Sequence, residues 1–291
     1  MSEQYKTTLP KASIGQTAYM TAAVRAHESQ RADRLFDDPW AAALAGPEGE
    51  RRFLQLEDAG GGIIVRTRFF DEFLHQTIAL SDIRQLVMPA CGLDTRAFRL
   101  SWPPDTCLFE LDQPAVLQYK EQILHAQQAI PRCQRRLVPV DLTEASWPNS
   151  LLEAGYNPAQ PSVWLVEGLL FYLPNPVIFQ LLEQIGDLCS PQSWLAFDAI
   201  HSAMTTSPLM QKRIERVARL GVPWIGTIDD PVALLSSLGW QATVISTARK
   251  SYEYNRPVYP FIPQEELTVE TEKLYHQLVV AERRRQNTHE Q

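Results

Sequence analysis

The sequence lacks what several classes of function require. It has no G-x-G-x-x-G, so the strict dinucleotide fingerprint is absent. Its four cysteines, Cys91, Cys107, Cys133 and Cys189, form no C-x-x-C pair and show no Cys/His spacing of a zinc site. They read as small buried or half-buried residues of a reducing compartment, and no metal is expected. No apolar run approaches the ~18 residues that a membrane span needs. The opening Met1-Ser2-Glu3-Gln4-Tyr5-Lys6 has no apolar core of a secretory signal. Positive charge is also short: 27 Lys and Arg against 34 Asp and Glu give a net charge of -7, which argues against a nucleic-acid surface. No internal repeat or low-complexity tract occurs. The expectation is a cytoplasmic protein with neither nucleic acid nor membrane as partner.

What is present is an ordinary globular composition, 45% hydrophobic and 21% charged over 291 residues. The most informative stretch is 85–114. Gln85-Leu86-Val87-Met88-Pro89 runs into the small-residue turn Ala90-Cys91-Gly92, followed by Leu93-Asp94-Thr95-Arg96. A second apolar run ends in Glu110-Leu111-Asp112-Gln113-Pro114. In open α/β sheets a turn of this kind lets the backbone approach a ligand. A carboxylate about 20 residues later, at the end of the next strand, accepts from ribose hydroxyls. A single turn glycine suits a nucleoside ligand without a pyrophosphate, such as S-adenosylmethionine. On a regular strand Glu110 and Asp112 share a face, so either acid could take the ribose role.

Strand and helix patterns alternate through the middle of the chain, which predicts parallel strands with helical crossovers. Strands are expected at 85–89, 106–111, 137–140, 162–166 and 194–197, with two more at 240–247 and within 251–262. Asn175 and Pro176 read as the cap and first residue of a helix. Helical patterns are expected over 14–56 and 63–80 before the sheet, and over 264–285 at the end. Gly46-Pro47 reads as a break, and Gly60-Gly61-Gly62 as a hinge or tight turn. Four consecutive strands end in Gly or an acid, at Gly92, Asp112, Asp141 and Glu167. All fall at the carboxyl edge where such sheets bind ligands.

Gly92–Arg96 together with Glu110–Pro114 resembles the leucine carboxyl methyltransferase-like family of S-adenosylmethionine-dependent methyltransferases. Arg25-Ala26-His27-Glu28, Leu35–Ala41, Arg66–Asp71, Val140-Asp141-Leu142 and Glu167–Leu173 agree with it in the same order. The family usually has Gly where Ala90 stands and an aliphatic residue at Pro89, and the tail beyond Asp198 matches only loosely. The resemblance implies a class I methyltransferase fold: an α/β, Rossmann-like, mostly parallel seven-stranded sheet in a single domain. Residues 1–80 would form a helical cap, 81–200 the cofactor core, 201–238 a lid-like insertion after strand five, and 239–291 the closing strands and helix.

The implied cofactor is S-adenosyl-L-methionine, and the implied reaction is O-methylation of a carboxylate or hydroxyl on a small molecule. Asp112 would bind the ribose, assisted by Ala90, Gly92 and Gln113 of the flanking turns. Asp141 would accept from the adenine amino group with Leu142 on the ring. Glu167 would face the methionine ammonium, and Arg66 would hold the carboxylate through its fork. Arg68 reads as a surface ion pair. Tyr172 and His201 are candidates for a base, and Tyr19, His27, Met210 and Trp224 for acceptor contacts. A NAD-type oxidoreductase and a non-catalytic cofactor-binding protein are the alternatives.

Overall fold

The computed structural model describes residues 11–56, 58–79 and 81–284. Seven strands form one sheet: β1 (Gln85–Pro89), β2 (Cys107–Asp112), β3 (Gln134–Pro139), β4 (Ser162–Val166), β5 (Trp194–Ala199), β6 (Trp240–Ser246) and β7 (Gln277–Arg283). Their order is β3-β2-β1-β4-β5-β7-β6. The first five are mutually parallel, and β7 runs antiparallel between β5 and β6. The direction of chain progression reverses between β1 and β4, and that crevice is where open sheets of this kind take ligands.

Three helices precede the sheet: α1 (Lys11–Ser29), α2 (Ala41–Phe53) and α3 (Gly61–Ala79). Short α4 (Arg96–Arg99), then α5 (Pro114–Ala126), α6 (Trp147–Glu153) and α7 (Asn175–Leu188) cross between strands. After β5 come α8 (Ser202–Thr206), α9 (Gln211–Arg219) and α10 (Pro231–Ser237), and α11 (Thr247–Glu253) and α12 (Val269–Glu272) lie between β6 and β7. Every residue of β1 and β4 is buried, as strands covered on both faces require. Val87, Phe109, Trp164 and Phe197 pack on one face with Trp147, Ile178 and Leu182. Leu86, Leu108, Leu165 and Ala196 pack on the other with Leu44, Phe70, Leu74 and Leu117. Each such fully buried side chain stabilises the fold by roughly 1.5–3 kcal/mol before entropy is counted.

The predicted seven-stranded α/β sheet is present, with differences in the tail. The last strand is β7, inside the stretch expected to be helical, and 251–262 contains no strand. Gln277-Leu278-Val279-Val280-Ala281 is apolar enough to fill the slot between β5 and β6, with Leu278, Val279 and Ala281 fully buried. Tertiary pairing therefore overrides the helical pattern. Asn175 is not a cap: Pro174 holds that position, and the Asn175 side chain accepts the Thr227 N–H at 3.0 Å. Helix is interrupted between α1 and α2, and Gly46 (φ 54°) kinks α2 beside Pro47 as the break predicted. Gly60 and Gly61 are packing positions rather than slack: a Cβ on Gly61 would lie 1.9 Å from the Pro257 carbonyl oxygen. Of the N-terminal segment expected to be loose, residues 1–10 lie outside the described residues, as do Leu80 and Arg285.

Candidate active site

The site is assembled from the carboxyl ends of the strands. After β1 the chain turns through Ala90 (φ 53°) and Gly92 (φ 51°). The Cys91 N–H donates to the Leu111 carbonyl at 3.1 Å, which holds this turn against the end of β2. Asp112 completes the clamp. Its Oδ2 accepts from the Gly92 N–H at 2.7 Å, and its Oδ1 from the Gln113 N–H at 2.7 Å. Burial raises the Asp112 pKa against the pull of those two amides. Each oxygen keeps a lone pair for a further donor.

Glu110 is turned away from this site. It is fully buried, and its Oε2 accepts from Lys120 and Arg135, each at 2.7 Å. Those cations hold its pKa below the usual carboxylate range although burial opposes them. It is a core charge, and of the two acids Asp112 lines the cavity.

At the end of β4, Glu167 sits between two arginines. Arg66 of α3 donates from Nε to its Oε1 at 2.9 Å, and Arg96 donates from Nη1 to its Oε2 at 2.7 Å. Arg66 also reaches Asp198 of β5, Nη1 to Oδ2, at 2.8 Å. Burial works against the Arg66 charge, but Asp198 and Glu167 outweigh it and raise the pKa. Gly168 (φ 70°) makes room for this: a Cβ there would stand 3.1 Å from Arg66 Nη2. Arg96 continues the chain of charges to Asp71 (2.7 Å) and Asp94 (2.6 Å), and Arg99 also pairs with Asp71 (2.6 Å). Three guanidiniums thus face four carboxylates, Asp71, Asp94, Glu167 and Asp198, and leave one negative charge in excess.

His276, just before β7, closes this side. Its Nδ1 lies 3.1 Å from Asp198 Oδ2, and its ring meets Phe171 and Trp224 edge to face. Burial lowers its pKa.

One cavity joins these groups. Arg66, Ala90, Gly92, Asp112 and Glu167 line it at the sheet edge. Met20 of α1, Leu56 before α3, Ile63 in its first turn, and Val217, Leu220 and Trp224 of the segment after β5 also line it. Among the other expected site residues, Tyr172 lines the cavity, but burial raises its phenol pKa and keeps the hydroxyl protonated. Gln113, Asp141 and Leu142 stand off the wall, partly exposed, and Asp141 accepts from the Thr143 hydroxyl at 2.6 Å.

Four expected contacts are not brought to the cavity. His201 caps α8, its Nδ1 accepting the Ala203 N–H at 3.0 Å. His27 stacks on Phe53 at 3.8 Å and bonds Glu50. Tyr19 packs edge-on against Tyr119. Met210 is buried with Val65, Phe171 and Met204 in an apolar cluster and does not itself line the cavity. Arg68 pairs with Glu72 at 2.8 Å, as expected of a surface residue. Sequence reasoning missed Asp198 and His276. Asp198 carried a readable signal, an acid near the end of a fifth strand; His276 lay hidden in the stretch mistaken for helix.

The family model described as leucine carboxyl methyltransferase matches residues 18–186. The chain belongs to the leucine carboxyl methyltransferase family. A protein of Parafrankia sp. (strain EAN1pec), named as an S-adenosyl-L-methionine-dependent methyltransferase, is 38% identical over 264 residues, covering 87% of this chain and 84% of its own. A similarly named protein of Streptomyces coelicolor is 38% identical over 268 residues, with 86% and 90% covered. The fold is shared more widely. A DUF574 family protein from Streptomyces avermitilis superposes with a TM-score of 0.59 at 13% identity, over 93% of this chain and 99% of that one. A protein of Thermobifida fusca YX described as a methyltransferase gives 0.58 at 16%, over 93% and 98%. The leucine carboxyl methyltransferase match stops at Gly186, so Asp198, Trp224 and His276 lie past the part of the site that the family model covers.

Proposed function

We propose that this S-adenosyl-L-methionine-dependent methyltransferase transfers its methyl group to an oxygen of a small-molecule acceptor. The observation that carries the reading is the shared cavity. Asp112 after β2, Glu167 after β4 and Arg66 of α3 line it at the carboxyl edge of the sheet, together with side chains from α1, the start of α3 and the segment after β5.

The residues present fit the cofactor. Asp112 accepts from the ribose hydroxyls with the lone pairs that its backbone amides leave unused. An amino-acid head group carries an ammonium and a carboxylate on one carbon. It therefore needs a carboxylate and a guanidinium side by side, as Glu167 and Arg66 stand. The Asp141–Leu142 loop adjoins Asp112, since the Val140 N–H donates to the Asp112 carbonyl at 2.9 Å. This supports the adenine role for Asp141 and Leu142, just beyond the ribose.

The bound cofactor supplies a methyl group already activated on a sulfonium. The chain's own residues then align the acceptor oxygen and exclude water. The 201–238 segment serves as the acceptor wall and gate: α9 is tied to the loop before α3 by Arg213–Asp58, 3.2 Å, and presents Val217 inward. A mostly apolar wall of this type suits a small organic acceptor. Trp224→Ala is expected to alter acceptor selectivity and leave cofactor affinity within about threefold, roughly 0.7 kcal/mol. Met210→Ala, in contrast, is expected to cost stability only.

The nicotinamide alternative is not retained, because the family is one of methyltransferases. Calorimetry tests the cofactor assignment: S-adenosylmethionine and its demethylated product bind, and NAD does not. Binding of NAD alone would reverse the reading.

A further inference from the structure

We propose that His276, oriented by Asp198, is the general base of the reaction and that the acceptor is therefore a hydroxyl compound. The inference rests on the methyl-transfer reading above and narrows its acceptor class. Three observations carry it. The ring of His276 forms part of the cavity wall that also holds Trp224 and Glu167. Nδ1 is engaged by Asp198 at 3.1 Å, and Nε2 makes no hydrogen bond to any described residue. Asp198 is itself fixed, accepting from Arg66 at 2.8 Å and from the Gly168 N–H at 2.6 Å.

A carboxylate that cannot move selects one tautomer of the imidazole paired with it. Here Nδ1 carries the proton and donates to Asp198, so Nε2 presents its lone pair to the cavity. The charged groups around the ring are Asp198 from β5, Arg66 from α3 and Arg213 from α9; Phe171 and Trp224 supply apolar edges. Burial and the two arginines keep the ring neutral in the resting protein, and Asp198 stabilises the imidazolium once it forms.

The step balances. The hydroxyl oxygen forms its bond to the methyl carbon as the methyl–sulfur bond breaks, and that electron pair stays on sulfur. The hydroxyl proton passes to Nε2 and leaves to solvent after the product departs. A carboxylate acceptor is already ionised at neutral pH and has no proton to lose, so a base held in this way serves a hydroxyl.

Two measurements on the full chain test the proposal. The first is long-range proton–nitrogen NMR of the imidazoles with S-adenosylhomocysteine bound, His276 being assigned by its loss in His276→Asn. The Nδ1-protonated tautomer at pH 7 is expected; the Nε2-protonated tautomer overturns the proposal. The second compares methyl transfer to metabolites of host extract by wild type and His276→Asn, a change that keeps an N–H for Asp198. The variant should lose about 10²–10⁴-fold in the rate of hydroxyl methylation, with part of the loss recovered at high pH, where the acceptor ionises unaided. Cofactor affinity by calorimetry should stay within about threefold. Hydroxyl methylation at the wild-type rate, or methylation by wild type of carboxylates alone, overturns it. A wild type that binds cofactor and methylates nothing defeats the methyl-transfer reading instead, and the tautomer still decides the arrangement.

Discussion

Arg66 and Glu167, 101 residues apart in sequence, are joined by a 2.9 Å bond between Nε and Oε1. The pair spans the crevice between α3 and the end of β4, and in the proposed function it makes one recognition element for the opposite charges of an amino-acid head group. It is also structural, because Arg66 carries Asp198 as well.

That double role predicts an asymmetry. Arg66→Ala removes the cation shared by Asp198 and Glu167 and leaves them only His276, the Gly168 N–H and Arg96, so a loss of up to about 3–5 kcal/mol is expected, as when a buried partner is removed. Arg66→Lys keeps a charge and should cost clearly less stability, yet still weaken S-adenosylmethionine because the fork is lost. The decarboxylated cofactor analogue separates the effects: wild type and Arg66→Lys should bind it about equally. A variant that loses the analogue as strongly as the natural cofactor shows that Arg66 only props up the site.

Asp112 and Glu110 should behave as opposites. Asp112→Ala removes a charged acceptor worth roughly 1.5–3 kcal/mol, so cofactor affinity falls by about one to two orders of magnitude. Glu110→Gln should lower the denaturation midpoint, since Lys120 and Arg135 lose their buried partner. The protein that remains folded should bind cofactor normally. Affinity lost in Glu110→Gln and kept in Asp112→Ala would reverse the assignment.

The sheet and the residues that line the cavity at its carboxyl edge were legible in the sequence because each depends on local signals. Apolar runs of strand length end in Gly92, Asp112 and Glu167, and all three line one cavity. What stayed hidden depends on contacts made late in the chain. β7 reads as helix until β5 and β6 leave a slot for it, and His276 gains its meaning only from Asp198, 78 residues earlier. His27, Met210 and His201 share the opposite error. Each has suitable chemistry near the right segment, but helix packing or capping consumes it.

Ala90 supplies a test of the turn itself. Its φ of 53° lies in the left-handed region, where an L-residue costs roughly 1–2 kcal/mol. Glycine removes that cost but gives back about 0.4–1 kcal/mol through the unfolded chain. Ala90→Gly is therefore expected to leave stability unchanged or to raise it by about 1 kcal/mol, and Ala90→Val to lower it. Urea midpoints decide; a marked loss in Ala90→Gly would mean that the turn is not left-handed.

The pH dependence follows from the buried groups. His276 has a folded pKa below its ordinary 6.5, so the folded state takes up fewer protons than the unfolded one as pH falls through that range. Its contribution to stability is present above about pH 6.5 and is lost below it. Asp71 and Asp198, held below their ordinary 3.8, lose theirs only in stronger acid. Asp112 runs the other way, being raised. The clean comparison is thus between proteins: the drop in unfolding free energy from pH 7.5 to 5.5 should be smaller in His276→Asn than in wild type. An equal drop would show that His276 titrates as if exposed.

The central claim is methyl transfer to oxygen on a small molecule. Its most direct test is to incubate the purified protein and S-adenosylmethionine carrying a ¹³C-methyl group with an extract of its host, and to examine metabolites and proteins by mass spectrometry and carbon NMR. The account predicts a small metabolite heavier by one labelled methyl, with a carbon shift of an ether or ester. Label on nitrogen, on carbon or on a protein, or no label despite bound cofactor, would contradict it.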